Sequence, residues 1–477
     1  MTRTLSHFIG GRWVEGSRHT ERENPSDWAD IVARVPAGGE KEVFQAVSAA
    51  GAAFEAWAGA SPEFRSDCLD RIARSLMQRS EEIGAVIARE EGKLVQEAIG
   101  EVRRASRIFQ FFSGEAIRLH GDAIRSVRPG VDVTTHRDPV GVFGLITPWN
   151  FPVAIPAWKA APALAFGNTV VLKPSGYSPL TAALLGEIVE ASGVPGGVFN
   201  IVFGDAEAGM ALCRDEAVAG ISFTGSQAVG RKVAAAAIAH QARVQLEMGG
   251  NNPLVVLDDC DLDRAVEVAL DGSFYSSGQR CTASSRLIVQ KGVQAAFTEK
   301  LVLRMKLLTV GDARDPGTKI GPLASRGQLE KCRQAIAGAT GQGARLLSGG
   351  ETLPEGRGYF LRPALLGDTR AEMEINQTEV FGPVATLIPA DDFEHALSLA
   401  NASPFGLSAG IVSRSAGRIA EFRRRIVAGM VMVNLPTAGV DYHVPFGGVR
   451  GSSYGPREQG TAAAEFYTQV KTSYLWA

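Results

Sequence analysis

Short runs of β-branched and other apolar residues alternate with longer helical patterns through the middle of the chain. The runs that predict buried strands are Val142–Thr147, Thr169–Lys173, Val198–Phe203 and Gly220–Thr224. The segments that predict helices between and after them are Ser178–Ala191, Ala206–Cys213 and Ser226–His240. Short apolar strands joined by helices are typical of βαβ units around a buried parallel sheet.

A second series with the same alternation follows. Asn252–Leu257 and Ser285–Gln290 predict strands, while Leu262–Ser273 and Val293–Leu308 predict helices. The chain has 477 residues, which is longer than one ordinary domain. We therefore predict an α/β protein with two doubly wound domains.

Composition and charge exclude several classes of protein. Apolar residues make up 45% of the chain and charged residues 21%, which is the balance of a globular protein. The formal charge is −2, from 49 basic and 51 acidic residues, so no basic field exists to bind nucleic acid or an anionic bilayer. The apolar run Val153–Leu172 contains Lys159 and two prolines, which break it as a membrane span. We expect neither nucleic acid nor a membrane as a partner.

Cysteine usage indicates a reducing compartment. The five cysteines are scattered and never form a CxxC pair, so we expect free thiols, no disulfide framework and no metal site. The first residues, Met1–His7, contain no hydrophobic signal core. Together these features predict a cytoplasmic protein.

One cysteine has flanks that differ from those of a core residue. Cys281 lies in Ser276-Ser-Gly-Gln-Arg-Cys-Thr, where Gly278 predicts an irregular loop and Arg280 brings a positive charge that favours a thiolate. A lone cysteine is more often a small buried hydrophobe, so reactivity does not follow from these residues alone.

Two polar residues follow predicted strands and are candidates for acid–base and oxyanion chemistry. Glu247 ends an apolar strand before two glycines, where burial would raise its pKa toward the range of a general base. A solvated glutamate on an edge strand is the alternative. Asn150 follows Val142–Thr147 and its amide can donate to an oxyanion, although an Asx turn before proline explains it equally well.

The chain lacks the glycine-rich turn of an ordinary dinucleotide fold, but two other segments point to phosphate or ribose. Gly225 and Ser226 lie between a strand and a helix, where backbone N–H groups favour phosphate; a plain serine N-cap is the alternative. Lys173 ends a predicted parallel strand on the ligand side of such sheets. A surface lysine whose stem packs on apolar atoms is the alternative.

Together these segments resemble the aldehyde dehydrogenase superfamily over nearly the whole chain. The matching motifs are Phe8-Ile-Gly-Gly-Arg-Trp-Val, Pro139-Val-Gly-Val-Phe-Gly-Leu-Ile-Thr-Pro-Trp-Asn-Phe-Pro, Phe223-Thr-Gly-Ser, Leu246-Glu-Met-Gly-Gly-Asn-Asn-Pro, Gly278-Gln-Arg-Cys-Thr, Glu379-Val-Phe-Gly-Pro and Pro445-Phe-Gly-Gly. The resemblance implies a cofactor domain from 1–120 and 140–248 and a catalytic domain from 249–445. It also implies a β oligomerisation flap and C-terminal segment at 121–139 and 446–477. The resemblance implies that the flap pairs with the C-terminal strand of a neighbouring chain. It therefore also implies a homodimer or homotetramer.

The resemblance also implies the reaction and its residues. Cys281 corresponds to the nucleophile, Glu247 to the general base and Asn150 to the oxyanion amide, for oxidation of an aldehyde to an acid through a thiohemiacetal and a thioester. The 34-residue separation of Glu247 from Cys281 resembles that of the hydrolytic members. The residues that correspond to cofactor contacts with NAD or NADP are Trp149, Lys173, Ser175, Gly225, Ser226, Glu379 and Phe381.

Two positions depart from the family pattern. Many NAD-using members have Lys-Pro-x-Glu, whereas this chain has Lys173-Pro-Ser-Gly176. Loss of that glutamate leaves room for a 2′-phosphate, so we expect NADP or dual cofactor use. Asn251 stands where lysine is common, and the sequence suggests no function for it.

The tail shows the most specific resemblance. Asn434–Gly448 and Ser452–Gly460 are similar to the bacterial α-ketoglutaric semialdehyde (2,5-dioxopentanoate) dehydrogenases. Such a substrate ends in a carboxylate, so its pocket needs a cation. Arg280 is one candidate clamp, with thiolate stabilisation or loop packing as its alternatives. Arg457 is a weaker candidate.

Other functions remain open on the sequence alone. A broad aliphatic or succinic semialdehyde dehydrogenase would use the same core. A CoA-acylating enzyme is disfavoured because thioester transfer needs no water-activating Glu247. A catalytically silent protein on this fold is disfavoured by the joint presence of cysteine, glutamate and asparagine. A cofactor-free thiol hydrolase would need a positioned histidine, and no histidine lies in a partner motif.

Overall fold

The computed structural model describes residues 2–353 and 357–476. Its strands are β1 (Arg3–Thr4), β2 (His7–Ile9), β3 (Arg12–Val14), β4 (His19–Asn24), β5 (Asp27–Pro36), β6 (Ala123–Arg125), β7 (Val131–Pro139), β8 (Val142–Ile146), β9 (Thr169–Lys173), β10 (Phe199–Ile201), β11 (Val218–Gly225), β12 (Arg243–Met248), β13 (Asn252–Val256), β14 (Ser284–Gln290), β15 (Arg345–Ser348), β16 (Ala364–Gly367), β17 (Val384–Ala390), β18 (Ser408–Val412), β19 (Met430–Val433), β20 (Ser453–Tyr454) and β21 (Thr468–Trp476). Its helices are α1 (Glu40–Ala58), α2 (Pro62–Gln78), α3 (Ser80–Glu90), α4 (Val95–Arg118), α5 (Ala154–Ala165), α6 (Pro179–Ala191), α7 (Ala206–Arg214), α8 (Gln227–Ile238), α9 (Leu262–Phe274), α10 (Lys291–Met305), α11 (Arg326–Gly341), α12 (Glu374–Gln377), α13 (Phe393–Asn401), α14 (Ala416–Arg425) and α15 (Ala464–Tyr467).

An eight-stranded sheet organises the first half of the chain. Its order is β20-β12-β11-β8-β9-β10-β2-β3, and the five central strands from β12 to β10 run parallel. Strands β8 and β9 are apolar and largely buried, as expected for a sheet covered by helices on both faces. The βαβ alternation predicted for this region is confirmed.

A seven-stranded sheet organises the second half. Its order is β15-β16-β17-β14-β13-β18-β19, with only β15 antiparallel to its neighbour. Strand β13 is buried along its whole length, and its neighbour β14 nearly so. The α/β class with two parallel sheets is therefore confirmed.

Two small sheets complete the architecture, and one of them corrects an expectation. Strands β1, β5 and β4 form an N-terminal sheet that the pattern did not predict. The flap strand β7 pairs antiparallel with β21 of the same chain, from Thr468 opposite Pro139 to Trp476 opposite Val131. The expected pairing of this flap with the neighbour's C-terminal strand is therefore wrong for these two strands, because the chain's own terminus returns in register.

The helices that matter for the site are the long α4 and the buried α5. Every residue of α5 is buried, including Lys159, because the helix lies between the eight-stranded sheet and α4. The inner face of α4 carries Phe109 and Phe112, which join one apolar cluster with α5. In the described part of the chain, no helix is both long and apolar enough to cross a bilayer.

Candidate active site

The carboxyl ends of the parallel strands meet at one edge of the eight-stranded sheet. The segment Thr147–Asn150 follows β8, Lys173 ends β9, Gly225 ends β11 and Met248 ends β12. Parallel sheets bind ligands at this edge, so these residues share a cleft for a geometric reason.

One cleft combines residues from this edge with residues from the second sheet. It is lined by Pro148, Trp149, Asn150, Ile155, Thr224, Gly225, Ser226, Gly249, Cys281, Gln328, Lys331, Glu379 and Phe381. Seven of the predicted site residues therefore lie together, although they come from positions as far apart as 149 and 381. Glu247, Lys173, Ser175 and Arg280 lie outside this lining.

The loop that carries Cys281 is irregular and tightly anchored. Gly278 has a φ of +62°, and a Cβ there would overlap the carbonyl oxygen of Gly382. Asn252 Nδ2 donates to the carbonyl oxygens of Cys281 and Ala283, at 2.8 Å each. The predicted irregular loop is confirmed, and its anchoring fixes the direction in which the thiol points.

The surroundings of Cys281 keep its thiol protonated at rest. Burial, together with the carboxylates of Glu379 and Glu247, raises its pKa to about 12. Before the thiol of Cys281 could act as a nucleophile, a carboxylate would have to take its proton or bound substrate would have to change the local charge. Burial and the two carboxylates therefore oppose formation of a thiolate in this arrangement.

Arg280 does not point into the cleft. Its guanidinium donates to the carbonyl oxygens of Asp271 and Gly272, and Nη1 lies 3.4 Å from Asp271 Oδ1. The positive charge expected beside the thiol is thus directed to Asp271, and the loop-packing alternative fits this geometry. The sequence could not reveal this, because Asp271 lies in α9 and meets Arg280 only in the folded chain.

Asn150 lies across the cleft from the thiol. Its Nδ2 donates to the carbonyl oxygen of Gln279 at 3.0 Å, which leaves a second N–H on the same nitrogen for an oxyanion. Its backbone carbonyl accepts from Lys93 Nζ. Both contacts orient the amide, as an oxyanion donor requires.

A buried ion pair between α4 and the preceding loop supports Asn150, and sequence reasoning missed it. Lys93 Nζ pairs with Glu101, and both side chains are at most 3% exposed. Glu101 Oε1 accepts from the backbone N–H groups of Val153 and Ala154, at 2.9 and 3.1 Å. The pair therefore fixes the turn from Asn150 into α5.

Glu247 is buried on β12 and held away from the cleft lining. Its Oε2 accepts from Ser453 Oγ at 2.6 Å, across the pairing of β12 with β20. Burial raises the pKa of Glu247 well above its ordinary value, and the charge of Glu458 raises it further. A base acts through its deprotonated form, so the raised pKa of Glu247 opposes that role in this arrangement.

A second buried ion pair lies behind Glu247. Lys159 of α5 pairs with Glu458, with side chains 0% and 1% exposed. Lys159 Nζ also donates to Ser222 Oγ at 2.8 Å, and Ser222 Oγ donates to Gln245 Oε1 at 3.0 Å. A lysine in an otherwise apolar helix was the sequence signal for this ion pair, but its partner Glu458 lies 299 residues further along the chain.

The tail arginine Arg457 lies near Glu247 and not in the cleft lining. Its Nη1 donates to the carbonyl oxygen of Gly448, and its charge lowers the pKa of Glu247. Its placement fits a structural role in the tail.

Lys173 and Ser175 lie at the end of β9, where the adenosine ribose is expected. Lys173 Nζ donates to the carbonyl oxygen of Gly204 at 3.0 Å, and burial lowers its pKa. Ser175 Oγ accepts from the N–H of Tyr177 at 3.2 Å. A carboxylate that the sequence analysis did not consider lies here as well, because a Cβ on Gly176 would be 3.9 Å from Asp205 Oδ1.

The turn at Gly225 and Ser226 begins a helix at the edge of the cleft. Gly225 is needed for space, since a Cβ there would lie 2.5 Å from the ring of Phe223. Ser226 is the N-cap of α8, and its Oγ accepts from the N–H of Val229 at 3.4 Å. Ser226 therefore caps α8, and the start of this helix also lines the cleft. Thr224 Oγ1 is buried without a partner among the described residues, so a polar ligand atom fits there.

Glu379 and Phe381 close the cleft from the second sheet. Glu379 Oε1 accepts from the N–H of Gly250 at 2.8 Å, and burial raises its pKa to about 7. Phe381 adopts a φ of +62°, and its ring meets Trp149 edge-on at 5.5 Å between centroids. Asn251 Nδ2 donates to the carbonyl oxygen of Thr378 at 2.9 Å, which gives this unexplained position a structural role beside Glu379.

These features fit a dinucleotide across the strand ends. The orphaned Thr224 hydroxyl, the start of α8 and the buried Lys173 suit phosphate and ribose oxygens. Trp149 and Phe381 present flat apolar faces on the way to Cys281. A nicotinamide cofactor therefore suits the residues present.

Comparison with known proteins agrees with this geometry. The model of the aldehyde dehydrogenase family matches residues 13–473. The alpha-ketoglutaric semialdehyde dehydrogenase of Bacillus subtilis is 44% identical, with 99% of this chain and 98% of that protein covered. The 2,5-dioxopentanoate dehydrogenase of Saccharolobus solfataricus is 37% identical, with 98% of both chains covered.

Solved structures of the same fold include one described with NADP and one described with NAD+. An Escherichia coli protein described as an NADP dependent enzyme superposes with a TM-score of 0.96 at 35% identity, covering 99% of this chain and 98% of that one. Betaine aldehyde dehydrogenase of Staphylococcus aureus in complex with NAD+ gives 0.96 at 30% identity, covering 99% and 95%. The family model matches almost the whole chain and the relatives match it over nearly their full length, so this chain belongs to the aldehyde dehydrogenase family of NAD(P)-using oxidoreductases.

Proposed function

We propose that this enzyme oxidises α-ketoglutaric semialdehyde to 2-oxoglutarate, with Cys281 as the nucleophile. The observation that carries the chemistry is the meeting of Cys281, Asn150, Glu379 and Phe381 in one cleft. The observation that favours this substrate is the similarity to two enzymes named for it, at 44% and 37% identity over 98% or more of the chain.

The proposed reaction begins with addition of the Cys281 thiolate to the aldehyde carbon. The C–S bond forms as the carbonyl electrons move to oxygen, giving a thiohemiacetal oxyanion. The free N–H of Asn150 and the backbone N–H of Cys281 are the donors that this oxygen meets. A donor of this kind is typically worth about 3 kcal/mol. When bound, the nicotinamide ring accepts the hydride that leaves this carbon, and Cys281 then carries a thioester.

Hydrolysis of the thioester requires a base, which we assign to Glu247. The carboxylate takes a proton from water as the water oxygen attacks the thioester carbon. The C–S bond then breaks and releases the acid and the thiolate. In the resting arrangement Glu247 Oε2 accepts a hydrogen bond from Ser453 Oγ, so we infer that the carboxylate keeps this bond while it takes the proton from water.

The cofactor contacts and cofactor choice are part of the proposal. We assign phosphate or ribose contacts to Trp149, Lys173, Ser175, Gly225 and Ser226, and nicotinamide-ribose contacts to Glu379 and Phe381. The absence of a carboxylate at Gly176 and the presence of Lys173 and Ser175 favour NADP. Asp205 near Gly176 opposes a 2′-phosphate and favours NAD. We therefore propose dual use of NAD and NADP, in the cytoplasm.

The division of the chain into working parts follows the sheets. We propose that 1–120 and 140–248 bind the cofactor, that 249–445 supplies Cys281, and that 121–139 with 446–477 forms the flap and C-terminal segment. The eight-stranded sheet takes its strands from 7–248 and from β20, and the seven-stranded sheet takes its strands from 252–433, which supports this division.

We further propose that a second copy of the chain covers the flap. Ile124, Tyr474, Leu475 and Trp476 lie exposed on the three-stranded sheet, with Trp476 82% exposed. An exposed cluster of large apolar side chains marks an interface in soluble proteins. Sedimentation should show a dimer or tetramer, and Trp476→Ser with Leu475→Ser should shift it toward monomer. A wild-type monomer would contradict this assignment.

A substrate panel tests the proposed function directly. Reduced cofactor should form with α-ketoglutaric semialdehyde, succinic semialdehyde and pentanal, each with NAD and with NADP. We expect the highest kcat/KM for α-ketoglutaric semialdehyde and no turnover for Cys281→Ala. Equal kcat/KM for pentanal would show a broad aliphatic enzyme, and the best value with succinic semialdehyde would move the assignment to that shorter substrate.

A further inference from the structure

We propose that Arg104 of α4 binds the carboxylate of the substrate, an inference that rests on the proposed oxidation of an acidic semialdehyde. Sequence reasoning assigned this task to Arg280 or, less strongly, to Arg457. Neither guanidinium is available, since one is directed to Asp271 and the other to the carbonyl oxygen of Gly448.

Arg104 lies on the part of α4 that faces the active site. It follows Glu101 by three residues, so the two side chains share a face of the helix. Glu101 holds the backbone N–H groups at the start of α5, directly after Asn150. Burial lowers the pKa of Arg104, and the charges of Glu101, Asp441 and, least of the three, Cys281 act in the opposite direction. The guanidinium and the nucleophile therefore belong to one electrostatic environment.

The guanidinium of Arg104 lacks a proper partner. Its single side-chain bond in the described structure is a long one, 3.5 Å from Nη2 to Gln459 Oε1. Its Nε is buried and has no acceptor among the described residues. Arg104 also forms no ion pair with any carboxylate that the structure describes: Glu101 pairs with Lys93, and Asp441 is exposed in the loop before Phe446. Arg104 is partly exposed, but a cation whose Nε is buried without an acceptor is costly, so an anion from outside is expected.

Two more buried donors without acceptors lie in the same region. Gln459 Nε2 and Trp158 Nε1 have no partner among residues 2–353 and 357–476. Gln459 meets Arg104, and Trp158 stacks on Phe446 at 5.4 Å between centroids. Phe446 exchanges backbone hydrogen bonds of 2.7 and 2.9 Å with Glu458, the residue before Gln459.

The same region extends to the nucleophile. Phe446 belongs to an apolar cluster against which Cys281 packs, together with Met432 and Val440. A chain of contacts thus runs from the thiol through Phe446 to three orphaned N–H donors. All three require an acceptor, and one carboxylate offers two oxygens with four lone pairs.

The order of groups along this region suits a short dicarbonyl acid. The hydrogen on the aldehyde carbon must face the cofactor side for hydride transfer, so the rest of the substrate extends away from Trp149 and Phe381. In an extended five-carbon semialdehyde the carboxylate carbon lies about 5 Å from the aldehyde carbon. An apolar stretch past Phe446 that ends at Arg104 matches this order of groups.

Arg104→Gln tests the proposal, because glutamine keeps a donor for Gln459 and removes the charge. We expect kcat/KM for α-ketoglutaric semialdehyde to fall by about 10- to 100-fold, mostly through KM, as for loss of a charge-assisted hydrogen bond. Pentanal has no carboxylate and should lose far less. Arg104→Lys should recover part of the loss, since it restores the charge but not the fork. Arg103→Gln, exposed and one residue away, is the matched control and should resemble wild type.

A binding measurement separates this proposal from the proposed function. Glutarate, a diacid without an aldehyde, should bind to Cys281→Ala and bind at least tenfold more weakly when Arg104→Gln is added. Equal losses on pentanal and on the semialdehyde, or unchanged glutarate binding, would overturn the role of Arg104. If wild type prefers pentanal while Arg104→Gln still weakens glutarate, the anion site stands and the semialdehyde assignment is wrong.

Discussion

Ser453→Ala examines how Glu247 is prepared to act as a base. Ser453 Oγ donates to Glu247 Oε2 at 2.6 Å, which stabilises the carboxylate and lowers its pKa. Burial raises that pKa, and the charge of Glu458 raises it further. Removing the hydroxyl takes away only a lowering contribution, so the pKa of Glu247 must move upward.

The size of this shift follows from the strength of the bond. A hydrogen bond to a charged group is worth about 1.5–3 kcal/mol, and one pKa unit corresponds to about 1.4 kcal/mol. Loss of the bond should therefore make ionisation of Glu247 about 10- to 100-fold less favourable. A base works only in its deprotonated form, so deacylation should be about 10- to 100-fold slower below the new pKa and recover above it.

Rapid mixing over a pH series measures this directly. The burst of reduced cofactor should keep its amplitude in Ser453→Ala. In a plot of the steady-state rate against pH, the rising limb should lie at higher pH than in the wild type. Glu247→Gln is the control, since that limb should vanish altogether. A limb that stays in place, or moves to lower pH, would show that the hydroxyl does not hold the functional carboxylate.

Two further substitutions test the buried ion pair and the oxyanion donor. Lys159→Met leaves Glu458 buried without its cation and should destabilise the protein by about 3–5 kcal/mol, seen as a lower denaturation midpoint in urea. Adding Glu458→Leu should recover most of the lost stability. An unaltered midpoint in the single variant would contradict the pairing. Asn150→Ala should slow the burst about 10²- to 10³-fold with substrate binding retained, measured by stopped flow, and an undiminished burst rate would assign the oxyanion to other donors.

The parts of the fold that follow local rules were predictable from the chain. Apolar five-residue strands such as Val142–Ile146 and Thr169–Lys173 have short-range signals, and parallel order then brings their carboxyl ends together. That is why Asn150 and Gly225 were found beside one another. The proposal of Cys281 as the nucleophile needed the family resemblance, because a lone cysteine is not distinctive.

The parts that depend on distant partners were not predictable. Arg280 was expected near the thiol or the substrate, yet Asp271 on α9 draws it away. The pair of Lys159 with Glu458 crosses 299 residues and is set only by the packing of α5 against the tail. The return of β21 onto β7 likewise depends on the register of a terminal strand, for which neither segment has a local signal.

The central claim is that Cys281 carries the substrate as a thioester that Glu247 releases. Intact-protein and peptide mass spectrometry of Glu247→Gln, quenched after mixing with aldehyde and oxidised cofactor, tests it most directly. We predict one acyl group per chain, located on the peptide that contains Cys281, together with one equivalent of reduced cofactor. Reduced cofactor formed while Cys281 remains unmodified, or an acyl group on another residue, would contradict the account.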